Sequence, residues 1–363
     1  MTDDFTARLR LQLREAARRE EDRGGLARAG AAVRTRPSLA VGSFVAALAV
    51  GLVLVLGLWM VSSTDTETVA PDGGPRVVAN VPVADALGSG TAVAFGSVWL
   101  TETNNGNILR VDPRTRRVTA RIQVGSEVSL AAGDGSIWAI PRAAGVPATP
   151  LMRIDPRTNR VVARIAMRAP GGGSFLGGYI VVGPRVWVIG GTSVLAVDAT
   201  RNRPVREVEL GGSYQIDNAF LRDGELWLTR GDRTITRLDA VTGRRLGRVP
   251  WRTPASGYVF PYADKLIKVA TRSVALAEPA TGRPLWRTRL GTAVNGADVV
   301  GGRLYAEGRN GASARDTLWA LDPRTGNVLG TLTVPVFGVV GAARVGQDLW
   351  LISAAGRAVV VAG

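Results

Sequence analysis

The sequence contains no cysteine and no histidine. Without cysteine there is no disulfide, no thiolate-held zinc or iron–sulfur centre and no thiol nucleophile. Without histidine the commonest general base is missing, and with it every Ser-His or Cys-His pair. Lysine is scarce as well: Lys265 and Lys268 are the only two, so arginine carries nearly all of the formal charge of +15. Most redox and nucleophilic chemistries are thereby closed, and no cofactor or metal is expected. Charge is also missing locally, because residues 39–61, LAVGSFVAALAVGLVLVLGLWMV, form a stretch of 23 residues without one charged side chain.

That stretch is long enough to cross a bilayer core, about 35 Å at the helical rise. A cleaved signal peptide has a shorter apolar region behind a short basic leader, whereas 38 residues with six acids precede this one. A retained transmembrane helix is therefore expected over 39–61. Arg28, Arg34 and Arg36 flank it on one side and Asp65, Glu67 and Asp72 on the other, which leaves the N-terminus cytoplasmic and exports the rest. Phe5, Leu9, Leu13 and Ala17 recur every four residues, so the 1–38 tail should hold a short amphipathic helix over 4–22, resting on anionic lipid or docking a cytoplasmic partner. Residues 62–75, rich in Ser, Thr, Pro and Gly, read as a stalk.

Beyond residue 75 the chain repeats. Strands of the form Gly-x-Val-Trp-Leu fall at Trp99, Trp138, Trp187, Trp227, Ile267, Tyr305 and Trp350, spaced by 39, 49, 40, 40, 38 and 45 residues. That period is the length of a four-stranded propeller blade. Between them sit acidic turns at Asp112, Asp155, Asp198, Asp239, Glu278 and Asp322. In each the acid can accept a backbone N–H two residues on, and the fifth position needs φ > 0. Asn159, Asn202, Gly243, Gly282 and Gly326 suit that position, while Arg116 does not. These acids are expected to be structural. Slim runs such as 91–95, 128–132, 179–182 and 339–342 precede the Trp strands and should lie innermost. The chain ends one strand short of a full blade, and residues 76–83, RVVANVPV, resemble the outer strands 117–124 and 160–167. The expectation is an all-β fold of seven blades, within a range of six to eight, over 76–363, closed by that N-terminal strand with the tryptophans packed between blades.

The acidic turn, the outer strand after it and the Gly-x-Val-Trp-Leu strand of the next blade resemble the repeats of bacterial YVTN-type, pyrroloquinoline-quinone-type and virginiamycin B lyase-like β-propellers. The resemblance implies the propeller fold over nearly the whole exported part. It carries no catalytic residue here, since lyases of that kind are expected to use a histidine, and quinoprotein dehydrogenases a calcium site and often a vicinal cysteine pair.

Binding on a propeller belongs to the loops leading into the inner strands and those after the Trp strands. Polar candidates there are Glu102, Asn104, Asn105, Glu127, Arg142, Tyr214, Gln215, Asp217, Arg230, Asp232, Tyr258, Asn295, Asp298, Arg309, Asn310 and Asp316. The expected function is non-catalytic: a ligand- or protein-binding or sensing module at the cell envelope. Its partner would be an envelope protein, a peptide or an anionic polymer or lipid, and nucleic acid is excluded by topology. The enzymatic alternative is a lyase or hydrolase built on Asp, Glu, Tyr or Arg; a further one is a scaffold for an envelope complex.

Overall fold

A computed structural model describes residues 74–125, 128–141, 150–167, 178–212, 214–255, 257–309 and 315–362. The expected span 39–61, the 4–22 helix, Glu127, Arg142 and Asn310 lie outside them. No helix among the described residues is long and apolar enough to cross a membrane. Their regular structure consists of 28 strands in seven four-stranded antiparallel sheets. Six sheets use consecutive strands, forming blade 1 (residues 87–123), blade 2 (128–165), blade 3 (179–209), blade 4 (216–248), blade 5 (258–289) and blade 6 (293–333).

Blade 7 is composite, and it closes the ring as expected from the sequence. Its three inner strands come from residues 339–362, and its outer strand is the first of the chain, Arg76–Pro82, paired with Arg357–Ala362. Val83 N donates to Gly356 O at 2.9 Å, and the Arg357 guanidinium holds Asn80 Oδ1 at 2.6 Å and Asn80 O at 3.0 Å. Seven apolar clusters fill the wedges between successive blades, one per wedge. Each wedge receives the Trp-strand residue of the blade before it: Trp99, Trp138, Trp187, Trp227, Ile267, Tyr305 and then Trp350 at the closure. Trp99, Trp138, Trp187 and Trp350 are fully buried and fill their wedges with large flat rings, while Ile267 suffices in blade 5. The slim runs do form the innermost strands, whereas blades 4 and 5 carry Phe220, Tyr258 and Phe260 there and turn these rings into the wedges.

The acidic turns join the third and fourth strands at one end of every blade from 1 to 6. Asp112 Oδ1 accepts from Arg114 N at 2.7 Å and Thr115 N at 3.2 Å; Asp155, Asp239 and Asp322 repeat the pattern. Those backbone bonds hold the Asp112, Asp155 and Asp239 carboxyls below the usual range, as a bond from Arg201 N does for Asp198. All six fifth positions take positive φ, and Arg116 does so at 58° despite its Cβ. The left-handed turn is thus imposed by the fold, at about 1 kcal/mol for a non-glycine residue.

The turns also fasten each blade to the one before it. The carbonyl directly after the turn acid accepts a hydrogen bond from the preceding blade at five successive junctions. Arg110 Nη1 reaches Pro156 O at 2.7 Å and Arg153 Nη1 reaches Ala199 O at 2.7 Å. Indole N–H groups take over in the next three, with Trp187 on Ala240 O at 3.0 Å, Trp251 on Pro279 O at 2.8 Å and Trp286 on Pro323 O at 3.0 Å. Arg110 and Arg153 are further anchored on Ser97 Oγ and Ser136 Oγ and lie over the rings of Trp99 and Trp138.

Candidate functional site

Antiparallel order puts the acidic turns at one end of the propeller and the loops carrying the expected binding residues at the other. At that second end the innermost strands are irregular. The register slips after Ile216 in blade 4, after Val294 in blade 6 and after Val339 in blade 7, leaving Asp217, Asn295 and Val340 bulged at equivalent places, the first two with polar side chains. A bulge re-aims its side chain away from the regular alternation and is a common device beside binding sites. Both polar residues are partly exposed.

Around Asp217 the structure brings together four residues expected from the sequence. A Cβ on Gly231 would stand 3.6 Å from the Tyr214 ring and 3.7 Å from an Asp217 carboxylate oxygen, so the missing side chain leaves a gap walled by both. Arg230 is 3% exposed, and its guanidinium donates to Tyr214 O and Gly211 O. Arg230 is therefore part of the wall, while Gly231 after it is exposed. Asp232 Oδ1 accepts from Thr234 N and Thr234 Oγ1. Burial, reinforced by the Asp232 charge, raises the Asp217 carboxyl to about 6. The Tyr179 hydroxyl is buried without a partner and is driven well above the usual phenol range, first by desolvation and then by Asp217. Gln215 is exposed, and its carbonyl accepts from Gly231 N. Tyr214 is 52% exposed, and Phe337, in the connection between blades 6 and 7 at the same end, is 51% exposed.

The remaining expected residues divide. Glu102 is 4% exposed and clamped by Asn107 Nδ2 at 2.6 Å, so it braces its own loop. Asn104 and Asn105 are exposed on blade 1, with two blades between them and the Asp217 group on blade 4. Tyr258 and Asp298 prove to be internal struts. Tyr258 OH accepts Ala297 N across the blade 5–6 wedge at 2.7 Å, and Asp298 Oδ1 accepts Val299 N. Asp298 and Glu307 line a cavity of about 10 Å³ at the blade 6–7 wedge with Tyr305, Leu318 and Leu349. That is room for one water-sized species. Burial raises the Asp298 carboxyl to about 7 and, with help from Asp316, the Glu307 carboxyl to about 8. Asp316, 1% exposed, accepts Val339 N and ties blade 6 to blade 7. Arg309 ends the second strand of blade 6, partly exposed.

Sequence reasoning missed Glu307, Phe337 and Tyr179. The first could have been suspected as an acid within the buried Trp-type strand RLYAEGR. Buried polar atoms without partners recur here: Tyr179 OH, Arg230 Nε, Thr292 Oγ1, Asn295 Nδ2 and both Glu307 carboxylate oxygens. All belong to blades 3, 4 and 6 or the connection leading into blade 6.

With this geometry in hand, the chain can be set beside known proteins. A family model described as the outer membrane protein assembly factor BamB matches residues 231–361, from the second half of blade 4 to the end of blade 7. These are PQQ-like propeller repeats. The structure of BamB from Moraxella catarrhalis superposes with a TM-score of 0.54 at 15% identity, covering 80% of this chain and 98% of that one. The WD40 β-propeller domain of Doa1 superposes with a TM-score of 0.61 at 8% identity, covering 80% of this chain and 97% of that one. At such identities the shared property is the fold. No curated protein matches the sequence.

Proposed function

We propose that this PQQ-like propeller is a non-catalytic protein-binding module of the cell envelope, a scaffold held at the cytoplasmic membrane by residues 39–61 with its N-terminus inside the cell. The observation that carries it is the end of the propeller at blades 4 to 6. There two bulges aim polar side chains out of the regular sheet, buried polar atoms await partners, and Tyr214 and Phe337 stand exposed. Aromatic residues beside unspent hydrogen-bonding groups suit a protein or peptide surface. The BamB description of the matching family adds an assembly complex of the envelope as the setting. The arginine excess favours partners with acidic surfaces.

The test is recovery of partners from membranes by the full chain and by the triple variant Tyr214→Ala, Asp217→Asn, Asn295→Ala. The expected outcome is loss of the specific partner with an unchanged melting temperature. Equal recovery removes the site from this reading. The raised Asp217 carboxyl favours one second reading, a lyase or hydrolase with Asp217 as proton-transfer group; turnover of a wall-derived or lactone substrate that Asp217→Asn abolishes would establish it instead.

A further inference from the structure

Each outer strand of the seven blades leaves one edge unpaired, a template on which another strand can add. Six of the seven edges are guarded by charge, from Arg76 in blade 7 to Arg287 and Arg289 in blade 5. The outer strand of blade 6, Val328–Thr333 with sequence VLGTLT, has neither a charged residue nor a proline. Among the described residues it pairs on one side only, with Thr317–Leu321. Its bulge falls at Leu329, so Gly330–Thr333 runs on regularly behind it. Val328 and Leu329 are exposed.

The first described residues of the chain meet this strand. Gly74 Cα and Pro75 Cδ lie 3.0 and 2.9 Å from where a Cβ on Gly330 would be, a contact that only glycine permits, and Pro75 is buried. Gly330 shares its face with Ala320 and Leu332, toward blade 7, so the residues that precede Gly74 leave the blade 6–7 wedge beside this uncharged strand. We propose that segment 64–70 of this chain, TDTETVA, adds to that edge as a fifth strand of blade 6.

Three features support this occupant. Thr64, Thr66 and Thr68 alternate with Asp65, Glu67 and Val69, and β-branched residues at this density favour an extended strand. The connection Pro71-Asp72-Gly73 has the composition of a turn. At about 3.4 Å per residue it reaches roughly 10 Å, against about 4.8 Å between neighbouring strands. The two acids of the segment would also run near Arg324, exposed in the turn that leads into this strand. Addition closes the unguarded edge. On the membrane-anchored reading it also shortens the leash between propeller and bilayer to a few residues.

Because the chain has no cysteine, engineered pairs report this contact without background. Thr331→Cys is combined in turn with a single cysteine at each position from 64 to 69, in the full chain under mild oxidation. Facing residues on paired strands have Cβ atoms about 5 Å apart, close enough for a disulfide after small adjustment. The expected result is an intramolecular disulfide that peaks at one position, is weaker two positions away and is absent at the adjacent ones. Equal yields at every position, as an unattached tail would give, overturn the proposal, as does failure to form any intramolecular disulfide. A disulfide-linked dimer from Thr331→Cys alone assigns the edge to a second copy and overturns it too. None of these outcomes depends on the partner sought at blades 4 to 6.

Discussion

The two ends of the propeller use the same repeat in opposite ways. At the acidic-turn end the polar atoms described above are spent on holding the ring: the carboxylates cap their own turns, and five carbonyls after them receive a donor from the neighbouring blade. At the other end, around blades 3 to 6, bulges interrupt the inner strands and Tyr179 OH, Thr292 Oγ1 and Asn295 Nδ2 are buried without partners, against Arg237 Nε on the acidic-turn side. An unsatisfied buried group costs free energy that selection removes unless something binds it. On the proposed reading the contrast gives stability to one end and recognition to the other, and it can be tested from both sides.

The strongest test concerns the wedges common to both ends. Trp138→Ala should lower unfolding free energy by about 3–5 kcal/mol in denaturant titration, the usual cost of emptying an aromatic site. Next comes pH. Glu307, raised from 4.5 to about 8 by burial, binds a proton in the folded state that the unfolded chain releases, so stability should fall as pH rises between those values. The turn carboxyls act in the opposite sense: their lowered values make a contribution that is complete above 3.8 and lost in stronger acid. Thermal melting from pH 4 to 9 should therefore peak on the acid side, and Glu307→Gln should flatten its alkaline decline. An unchanged slope would remove Glu307 from the account.

Smaller effects separate the ends directly. Arg153→Ala removes charged hydrogen bonds to Ser136, Ala199 and Asn202 and should cost about 1.5–3 kcal/mol. Asp217→Asn, at the recognition end, should leave the melting temperature unchanged or raise it, since it relieves a carboxyl that burial disfavours. If the two substitutions destabilise equally, the division of labour fails. Last, Arg116→Gly relieves a left-handed residue and should stabilise by about 0.5–1 kcal/mol, read as a higher denaturation midpoint.

What the sequence discloses follows from what repeats in it. The tryptophan spacing, the turn acids and the likeness of 76–83 to later outer strands each recur, so blade number, closure and the left-handed turn positions could be read before any coordinates. The inter-blade latch could not, although it too recurs, because its donor changes from arginine in blades 1 and 2 to indole in blades 3 to 5 while its acceptor is a backbone carbonyl of any residue. Asp217 and Asn295 were readable as polar loop-end residues, but their equivalence rests on register slips that no local pattern announces. Tyr258 and Asp298 looked like members of that group, and packing between blades turned them inward. Glu307 takes a strand position that carries Thr, Ile or Val in the other blades, and its burial is decided by Asp298, Leu318 and Leu349 on other strands.

The closing strand has a consequence for biosynthesis. Arg76–Pro82 is made early and its partner Arg357–Ala362 last, so the first strand must wait through translation of the entire domain before it can pair. During that interval the ring is open and two strand edges are bare, the state most prone to mispairing with other chains. Any factor that shields nascent chains would act on this protein chiefly before Arg357–Ala362 emerges.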